Sequence, residues 1–416
     1  MNQIKSIKGT HDILPSESRK WQELEKIVRD ACSLHGYGEI RTPIIEKTPL
    51  FQRSVGQETD IVTKEMYSWD DRDGANITLR PELTASVARS FVQHNLGIQN
   101  ATQRLYYLGP LFRRERPQKG RQRQFHQFGV EAFGSVYPEQ DAEIISIAWH
   151  ILSKCGLGDD VKLHLNSLGS EECRIKYIDS LKDFISPNIN KFSETSQRRF
   201  SKNTLRILDT KSEHEKIILK NAPQIADYLT DEDTDHFNQL QNYLTALKIP
   251  FEINQKLVRG LDYYSRTVFE FTTSALGSQD ALLGGGRYDT LVERLGGKPT
   301  PGIGFAAGME RFLIAMGGNQ KESSINESRM FFVCTEEGGI PVTLSLSQKL
   351  RNHGKEIIMD SKRRSMKAQL REANKINARY ALILGRDEID RSEIIIKDLI
   401  KGSQKKVAQS ALFDNL

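Results

Sequence analysis

Two short alternating segments, separated by a basic loop, constrain this chain more than any other feature. Arg104-Leu105-Tyr106-Tyr107-Leu108-Gly109 is strand-like and rich in aromatics, and Phe125-His126-Gln127-Phe128-Gly129-Val130-Glu131 resumes the alternation. Such a pair predicts a long antiparallel hairpin with a mobile, charged tip. The tip holds Arg113, Arg114, Arg116, Lys119, Arg121 and Arg123, with Glu115 among them. Guanidinium groups grip phosphate in forked pairs, so this loop suits a polyphosphate or an RNA end. A solvated basic turn is the plainer use of the same residues.

Other elements can be placed around the hairpin. Residues 16–32 read as a helix, with Trp21, Leu24, Ile27 and Val28 as its apolar stripe and Ser16 as a cap behind Pro15. Pro43 biases Thr42 away from helix, so residues 40–45 are extended. A strand is expected over 77–80 and helices over 83–93 and 141–154. From about 170 to 247 glycine becomes rare and polar helical stretches dominate, which marks an inserted helical module. Strand patterns return at 251–254 and 267–271. Gly284-Gly285-Gly286 and Pro301-Gly302-Ile303-Gly304 are expected to be tight turns, followed by a helix over 306–316. Gly317-Gly318-Asn319-Gln320-Lys321-Glu322-Ser323-Ser324 has the composition of a linker. Beyond it strand, helix, strand, helix, strand succeed one another, the order of a small α/β domain.

The chain has 416 residues, a length that suits two or three domains. Its 38% hydrophobic and 27% charged residues are the balance of a soluble globular protein. A net charge of +5 permits a polyanionic partner without requiring one. Cys32, Cys155, Cys173 and Cys334 are scattered with no CxxC pair, which argues against a zinc knuckle or disulfide framework and fits a reducing compartment. The opening Met1-Asn2-Gln3-Ile4-Lys5 lacks an apolar signal core, and no run approaches bilayer length. A cytoplasmic protein with no membrane partner is expected.

Three further motifs carry chemistry. Arg259-Gly260-Leu261-Asp262-Tyr263-Tyr264 gathers an arginine, a carboxylate and two phenols into one tight segment, suited to a polar pocket wall or to a surface turn with packing tyrosines. Gly284-Gly285-Gly286-Arg287-Tyr288-Asp289, with Gly302, Gly304 and Arg311 behind it, lets a backbone approach a ligand closely. No Gly-Lys-Ser/Thr closes it, so it is not a phosphate-cradling P-loop, nor is it a good dinucleotide fingerprint. Lys349, Arg351, Lys355, Lys362, Arg363, Arg364, Lys367, Arg371, Lys375 and Arg379 form a basic stretch with few acids between. Phosphate contact is its natural use, and a solvated helix face the alternative.

In this order the segments resemble the histidyl-tRNA synthetase family over nearly the whole chain. Gly9-Thr10-His11-Asp12-Ile13-Leu14-Pro15 resembles its N-terminal signature. Residues 37–51, centred on Pro43, resemble class II motif 1, the dimer-building segment. Leu111-Phe112-Arg113-Arg114-Glu115-Arg116 through Phe125-His126-Gln127-Phe128-Gly129 resembles motif 2, and Gly302-Ile303-Gly304-Phe305 through Glu310-Arg311-Phe312 resembles motif 3. Leu257-Val258-Arg259-Gly260-Leu261-Asp262-Tyr263-Tyr264 and residues 284–288 resemble the two histidine-specific signatures. The tail after Val407 is short and polar and fits the family poorly.

The resemblance implies an α+β fold. A class II antiparallel sheet would make the catalytic domain over 1–320, with a helical insertion at about 170–250. A linker at 321–328 and an α/β anticodon-binding domain over 329–416 would follow. It implies a homodimer that activates L-histidine with ATP, with Mg²⁺ carried on the nucleotide and no resident metal, and loads it onto histidine tRNA. Arg113 and Arg259 would flank the α-phosphate as the catalytic pair, and Arg113 would also meet the substrate carboxylate. Glu115, Arg121, Phe125 and Arg311 would complete the ATP site, Phe125 stacking on adenine. Glu82, Leu83, Thr84 and Gln127 would surround the α-amino end of histidine. Glu131 and Tyr264 would read the two imidazole nitrogens, with Tyr263 beside them. Gln118, Lys119 and Gly120 would meet the tRNA acceptor end, and the helical insert would lie along its stem. A helix cap is the ordinary use of Thr84, and a structural salt bridge that of Glu131.

A rival reading is the synthetase-like regulatory subunit of ATP phosphoribosyltransferase, which binds histidine as a sensor. The intact set Arg113, Glu115, Arg121 and Arg311, and the domain after the linker, speak against it. A class II synthetase for proline, threonine or glycine would lack the segment from Arg259 to Tyr264. A plain RNA-binding module would not need the glycine-lined segments.

Overall fold

The two aromatic segments fold back on each other, Gln103–Phe112 against Gln124–Phe133, with Leu105 opposite Glu131 and Phe112 opposite Gln124. The computed structural model describes residues 3–57, 59–118, 120–208, 210, 212–277, 280–317 and 326–416. Lys119 and residues 321–325 of the expected linker lie outside the described residues, and Asn326 already begins a strand. The chain divides into two compact units, Met1–Asn319 and Gln320–Leu416.

In chain order the strands of the first unit are β1 (Gly38–Glu39), β2 (Ile45–Lys47), β3 (Tyr67–Asp70), β4 (Asn76–Leu79), β5 (Gln103–Phe112) and β6 (Gln124–Phe133). They continue with β7 (Val161–Ser167), β8 (Glu252–Ile253), β9 (Ser265–Thr273), β10 (Ala281–Arg287) and β11 (Gly302–Gly308). The main sheet runs β1-β5-β6-β11-β10-β9-β7-β8, antiparallel except at β1/β5 and β7/β8. A smaller sheet, β2-β4-β3, stands apart.

Alternation assigns the faces of the main sheet. Phe128 and Val130 of β6, Phe305 of β11 and Phe269 and Phe271 of β9 enter one apolar cluster with Trp21, Leu24, Ile144, Ile151 and Phe312 from three covering helices. The first of these helices is Pro15–Leu34. Pro15 occupies its first turn, where a missing N–H costs nothing, and Leu14 precedes it without a side-chain cap; the expected cap Ser16 lies inside the helix.

The glycine runs depart from expectation. Gly284–Gly286 lie within β10 and Gly302–Gly304 within β11, in paired strands rather than in turns, with Gly286 opposite Gly304. Ala306, Ala307 and Gly308 continue β11, so the helix that follows is only Met309–Met316. Glycine is needed here because neighbours press on the strands, not because the chain reverses.

Residues 171–246 hold the helices Glu171–Ile185, Glu194–Lys202, Glu213–Ile218 and Asp231–Ala246. Tyr177, Leu181, Ile185, Phe192, Ile207 and Ile225 form an apolar cluster of their own. The helix Asp231–Ala246 instead sends Leu240 and Leu244 into the main cluster.

The second unit is a five-stranded sheet: β12 (Asn326–Cys334), β13 (Glu356–Met359), β14 (Ala378–Leu384), β15 (Glu393–Asp398) and β16 (Gln404–Ala408). Its order is β13-β12-β14-β15-β16, parallel across the first three and antiparallel across the last. Several members of its basic stretch are paired with acids, some close in sequence and some distant. Arg363 pairs with Glu337, Arg364 with Asp360 and Glu372, and Arg379 with Asp398. Lys349, Lys362, Lys367, Arg371 and Lys375 are exposed. Among the described residues no helix is long and apolar enough to cross a membrane.

Candidate active site

The face of the main sheet opposite the apolar cluster carries the expected residues. Register places Phe125, Gln127, Gly129 and Glu131 of β6 beside Gly304, Ala306 and Gly308 of β11, then Gly284 of β10 and Glu270 of β9. All of these but Gly129 floor an open cavity of about 730 Å³. Glycine is what lets the floor lie flat. A Cβ on Gly304 would fall 1.8 Å from Glu131 Oε2 and 2.3 Å from Val130 O, and one on Gly284 would fall 2.3 Å from Arg259 Nη1.

At one end lies a fully buried carboxylate. Glu131 Oε1 accepts from Thr84 Oγ1 at 2.7 Å and from Tyr107 OH at 3.1 Å, and Oε2 accepts from Tyr288 OH. Burial raises its pKa to about 8, although these hydroxyls pull the other way. Glu131 is therefore held by hydroxyls and not, among the described residues, by a cation. Thr84 does not cap the helix Thr84–Gln93. Glu82 accepts from Ala85 N in its first turn at 2.8 Å, and burial lifts the Glu82 pKa to about 7. Tyr263 and Tyr264 stand together with ring centroids 4.6 Å apart, both buried. Glu82, Thr84, Gln127, Glu131, Tyr263 and Tyr264 all line the cavity. The side chain of Leu83 does not; it is buried in the apolar cluster beneath.

The other end is cationic. Arg113 donates from Nε to Pro81 O at 2.8 Å, and its guanidinium lies 5.3 Å from the Phe125 ring centroid. Arg121 pairs with Glu115 at 3.1 Å, Arg259 pairs with Glu270, and Arg311 lines the same wall. Glu310 accepts the His126 backbone N–H at 2.9 Å, so it ties motif-like segments together instead of facing the cavity alone. The loop 113–123 is fastened by its backbone: Arg114 N donates to Glu65 O at 2.7 Å and Arg123 N to Gly9 O at 2.7 Å. Gly120, at φ 74, turns the tip between Gln118 and Arg121.

Sequence reasoning missed Tyr107, Tyr288 and Glu270. Glu270 had a signal, as the one charge between Phe269 and Phe271 in an apolar strand. Tyr288 closed a glycine signature, yet its partner lies 157 residues away.

The chain matches two family models: histidyl-tRNA synthetase over residues 9–312 and the anticodon binding domain over residues 330–416. The second match takes in the tail after Val407, which the sequence reading set aside. Histidine–tRNA ligase of Natranaerobius thermophilus is 44% identical over 407 residues, covering 97% of this chain and 96% of its own. That of Halothermothrix orenii is 43% identical over 414 residues, covering 99% of each. The crystal structure of apo S. aureus histidyl-tRNA synthetase superposes with a TM-score of 0.84 at 35% identity over 99% of both chains. With both family models matched and full-length relatives well above 30% identity, this chain belongs to the histidyl-tRNA synthetase family.

Proposed function

We propose that the cavity activates L-histidine with ATP, and that the chain then transfers histidine to the 3′ end of histidine tRNA, as a histidine–tRNA ligase. One observation carries this reading. A single cavity is lined by a buried carboxylate and phenols at one end and by Arg113, Arg121, Arg259 and Arg311 at the other. That is the polarity needed to hold an imidazole against a polyphosphate.

Histidine's imidazole lies between Glu131 and Tyr264, which offer an acceptor and a hydroxyl to its two nitrogens. Glu82, Thr84 and Gln127 take the α-amino group. The carboxylate then attacks the α-phosphorus of ATP, a bond forms between them, and pyrophosphate leaves. Negative charge gathers on the phosphoryl oxygens, and Arg113 and Arg259 are the cations aimed there. Fixed donors of this kind lower such a barrier by about 3–4 kcal/mol each. Phe125 stacks on adenine, Glu115 meets its amino edge, and Arg121 and Arg311 hold the outer phosphates. Mg²⁺ enters as part of the nucleotide and shares the pyrophosphate charge.

In the second step Gln118, Lys119 and Gly120 meet the acceptor end, the helical segment lies along the stem, and the second unit takes the anticodon. Support for the last comes from the match to the anticodon binding domain and the exposed lysines. The regulatory-subunit reading has no use for a complete cationic wall. A cytoplasmic homodimer is part of the same proposal.

ATP–pyrophosphate exchange with each amino acid in turn, without tRNA, tests activation. Exchange with histidine alone is expected. Histidine binding with no exchange for any amino acid would overturn the ligase reading in favour of a sensor. Transfer to added tRNA then tests the second step.

A further inference from the structure

The strand beside the amino-acid end of the cavity is irregular where it meets the two tyrosines. Gly286 of β10 pairs with Val268, but the next residue, Arg287, pairs with Ser265, so β9 bulges at Arg266 and Thr267. Arg266 sits in this bulge at φ 44, a left-handed conformation that side chains other than glycine seldom adopt. Bulges re-aim the residues near them, and Tyr263 and Tyr264 precede this one by one intervening residue, Ser265. A residue kept in such a conformation has to be held by its surroundings.

The helical segment supplies the hold, from its first helix and its last. Arg174 of Glu171–Ile185 donates from Nη1 to the carbonyl of Tyr264 at 2.7 Å. Asp233 of Asp231–Ala246 pairs with Arg266 Nε at 3.0 Å, and Glu232 accepts from Arg266 Nη2 at 2.5 Å. Asp233 is itself fixed by Ser170 N at 3.0 Å and Thr230 Oγ1 at 2.9 Å. One turn further on, His236 Nε2 lies 2.9 Å from Asp141 Oδ2, which also accepts from Thr267 in the bulge at 2.6 Å. The other oxygen of Asp141 holds the fully buried Arg287 at 2.7 Å. Arg287 is followed by Tyr288, whose hydroxyl meets Glu131. The helix Asp231–Ala246 thus holds β9 directly and reaches β10 through Asp141 of the helix Pro138–Lys154, and the two grips end two residues from Tyr264 and next to Tyr288.

We infer that the helical segment is a positioning clamp on the histidine end of the cavity, an inference that rests on the histidine-activation reading. Asp233 on Arg266, and His236 through Asp141 on Arg287, set the aim of Tyr264 and Tyr288. Histidine affinity therefore follows how the helical segment is seated, and an RNA stem that shifts those helices would shift it too. Arg266 and Asp233 are positioning residues, since neither lines the cavity.

The test is the separate KM values of histidine and ATP in pyrophosphate exchange by the full chain. Asp233→Asn keeps the shape and the bonds from Ser170 and Thr230 while removing the charge that pairs with Arg266. Histidine KM is expected to rise about tenfold, with ATP KM and kcat within about twofold of the unsubstituted chain. Arg266→Gly enters the left-handed conformation freely and removes both ion pairs, and it should show the same split. Unchanged histidine KM in both variants, or a loss of kcat and thermal stability with both KM values unchanged, overturns the clamp. The unsubstituted chain is the control. If it shows no exchange with histidine, the assignment of function falls instead, and the histidine Kd of the same variants by calorimetry decides the clamp.

Discussion

Glu131 is a fully buried carboxyl in the floor of the cavity. Burial raises its pKa to about 8, while the unfolded chain holds a glutamate near its ordinary value of 4.5. Between those two values the folded state keeps a proton that the unfolded state has lost. Stability of the ligand-free protein is therefore expected to fall as pH rises from about 4.5 to about 8, by an amount on the order of a few kcal/mol. Glu131→Gln removes this penalty while keeping hydrogen-bonding partners for Thr84 and Tyr107. It should melt roughly 5 °C higher than the unsubstituted chain at pH 8.5, with the gap closing towards pH 5, and it should lose histidine activation. Thermal melts across that range check the sign; a gap that widens towards acid would be inconsistent with a buried, proton-holding carboxyl. Resemblance pointed to this residue, and it lines the cavity. Its three hydroxyl partners were not legible, because Thr84, Tyr107 and Tyr288 converge on it only through sheet register.

At the scale of elements, the hairpin was the most legible part of the chain, since a period of two over β5 and β6 admits few alternatives. The glycine runs were misread as turns. A run of glycines signals that side chains are excluded, but not whether the cause is a reversal of the backbone or a neighbour pressed against it. Here the neighbours differ, and two substitutions separate their effects. Gly304→Ala places a methyl against Val130 O and the Glu131 carboxylate, neither of which can retreat within the sheet. It is expected to cost about 3 kcal/mol of stability or more, seen in chemical denaturation. Gly284→Ala presses on the Arg259 guanidinium, which can move. It should leave the melting temperature nearly unchanged and lower the kcat of pyrophosphate exchange about a hundredfold. Equal stability losses in the two variants would contradict this division of the floor.

Over the whole molecule, the small sheet β2-β4-β3 bears on the proposed homodimer. Register puts Ile45, Ile77 and Trp69 on one face of it, and Ile45 and Trp69 are 48% and 41% exposed. That face is the one the proposed homodimer would cover. Trp69→Glu is expected to convert a dimer into a monomer in analytical ultracentrifugation, with loss of pyrophosphate exchange. A variant that sediments like the unsubstituted chain would remove this face from the proposal. The sequence pointed to the stretch around Pro43 but not to Trp69, which reaches the same face only through pairing with Ile77. The basic stretch of the second unit reads in sequence as cations with few acids between, suited to phosphate contact or to a solvated helix face. Asp360 was within reach of Arg364 in any local window, but the fold also brings Glu337 to Arg363 and Asp398 to Arg379 from 26 and 19 residues away.

The glycine floor also decides how the cavity can change under selection by an inhibitor. A compound lying flat on Gly304 and Gly284 touches main chain, so trimming a side chain cannot weaken its hold. Every substitution at those two positions adds atoms where Glu131, Val130 and Arg259 already stand. Resistance would have to arise in the walls, at the residues proposed to hold histidine and ATP.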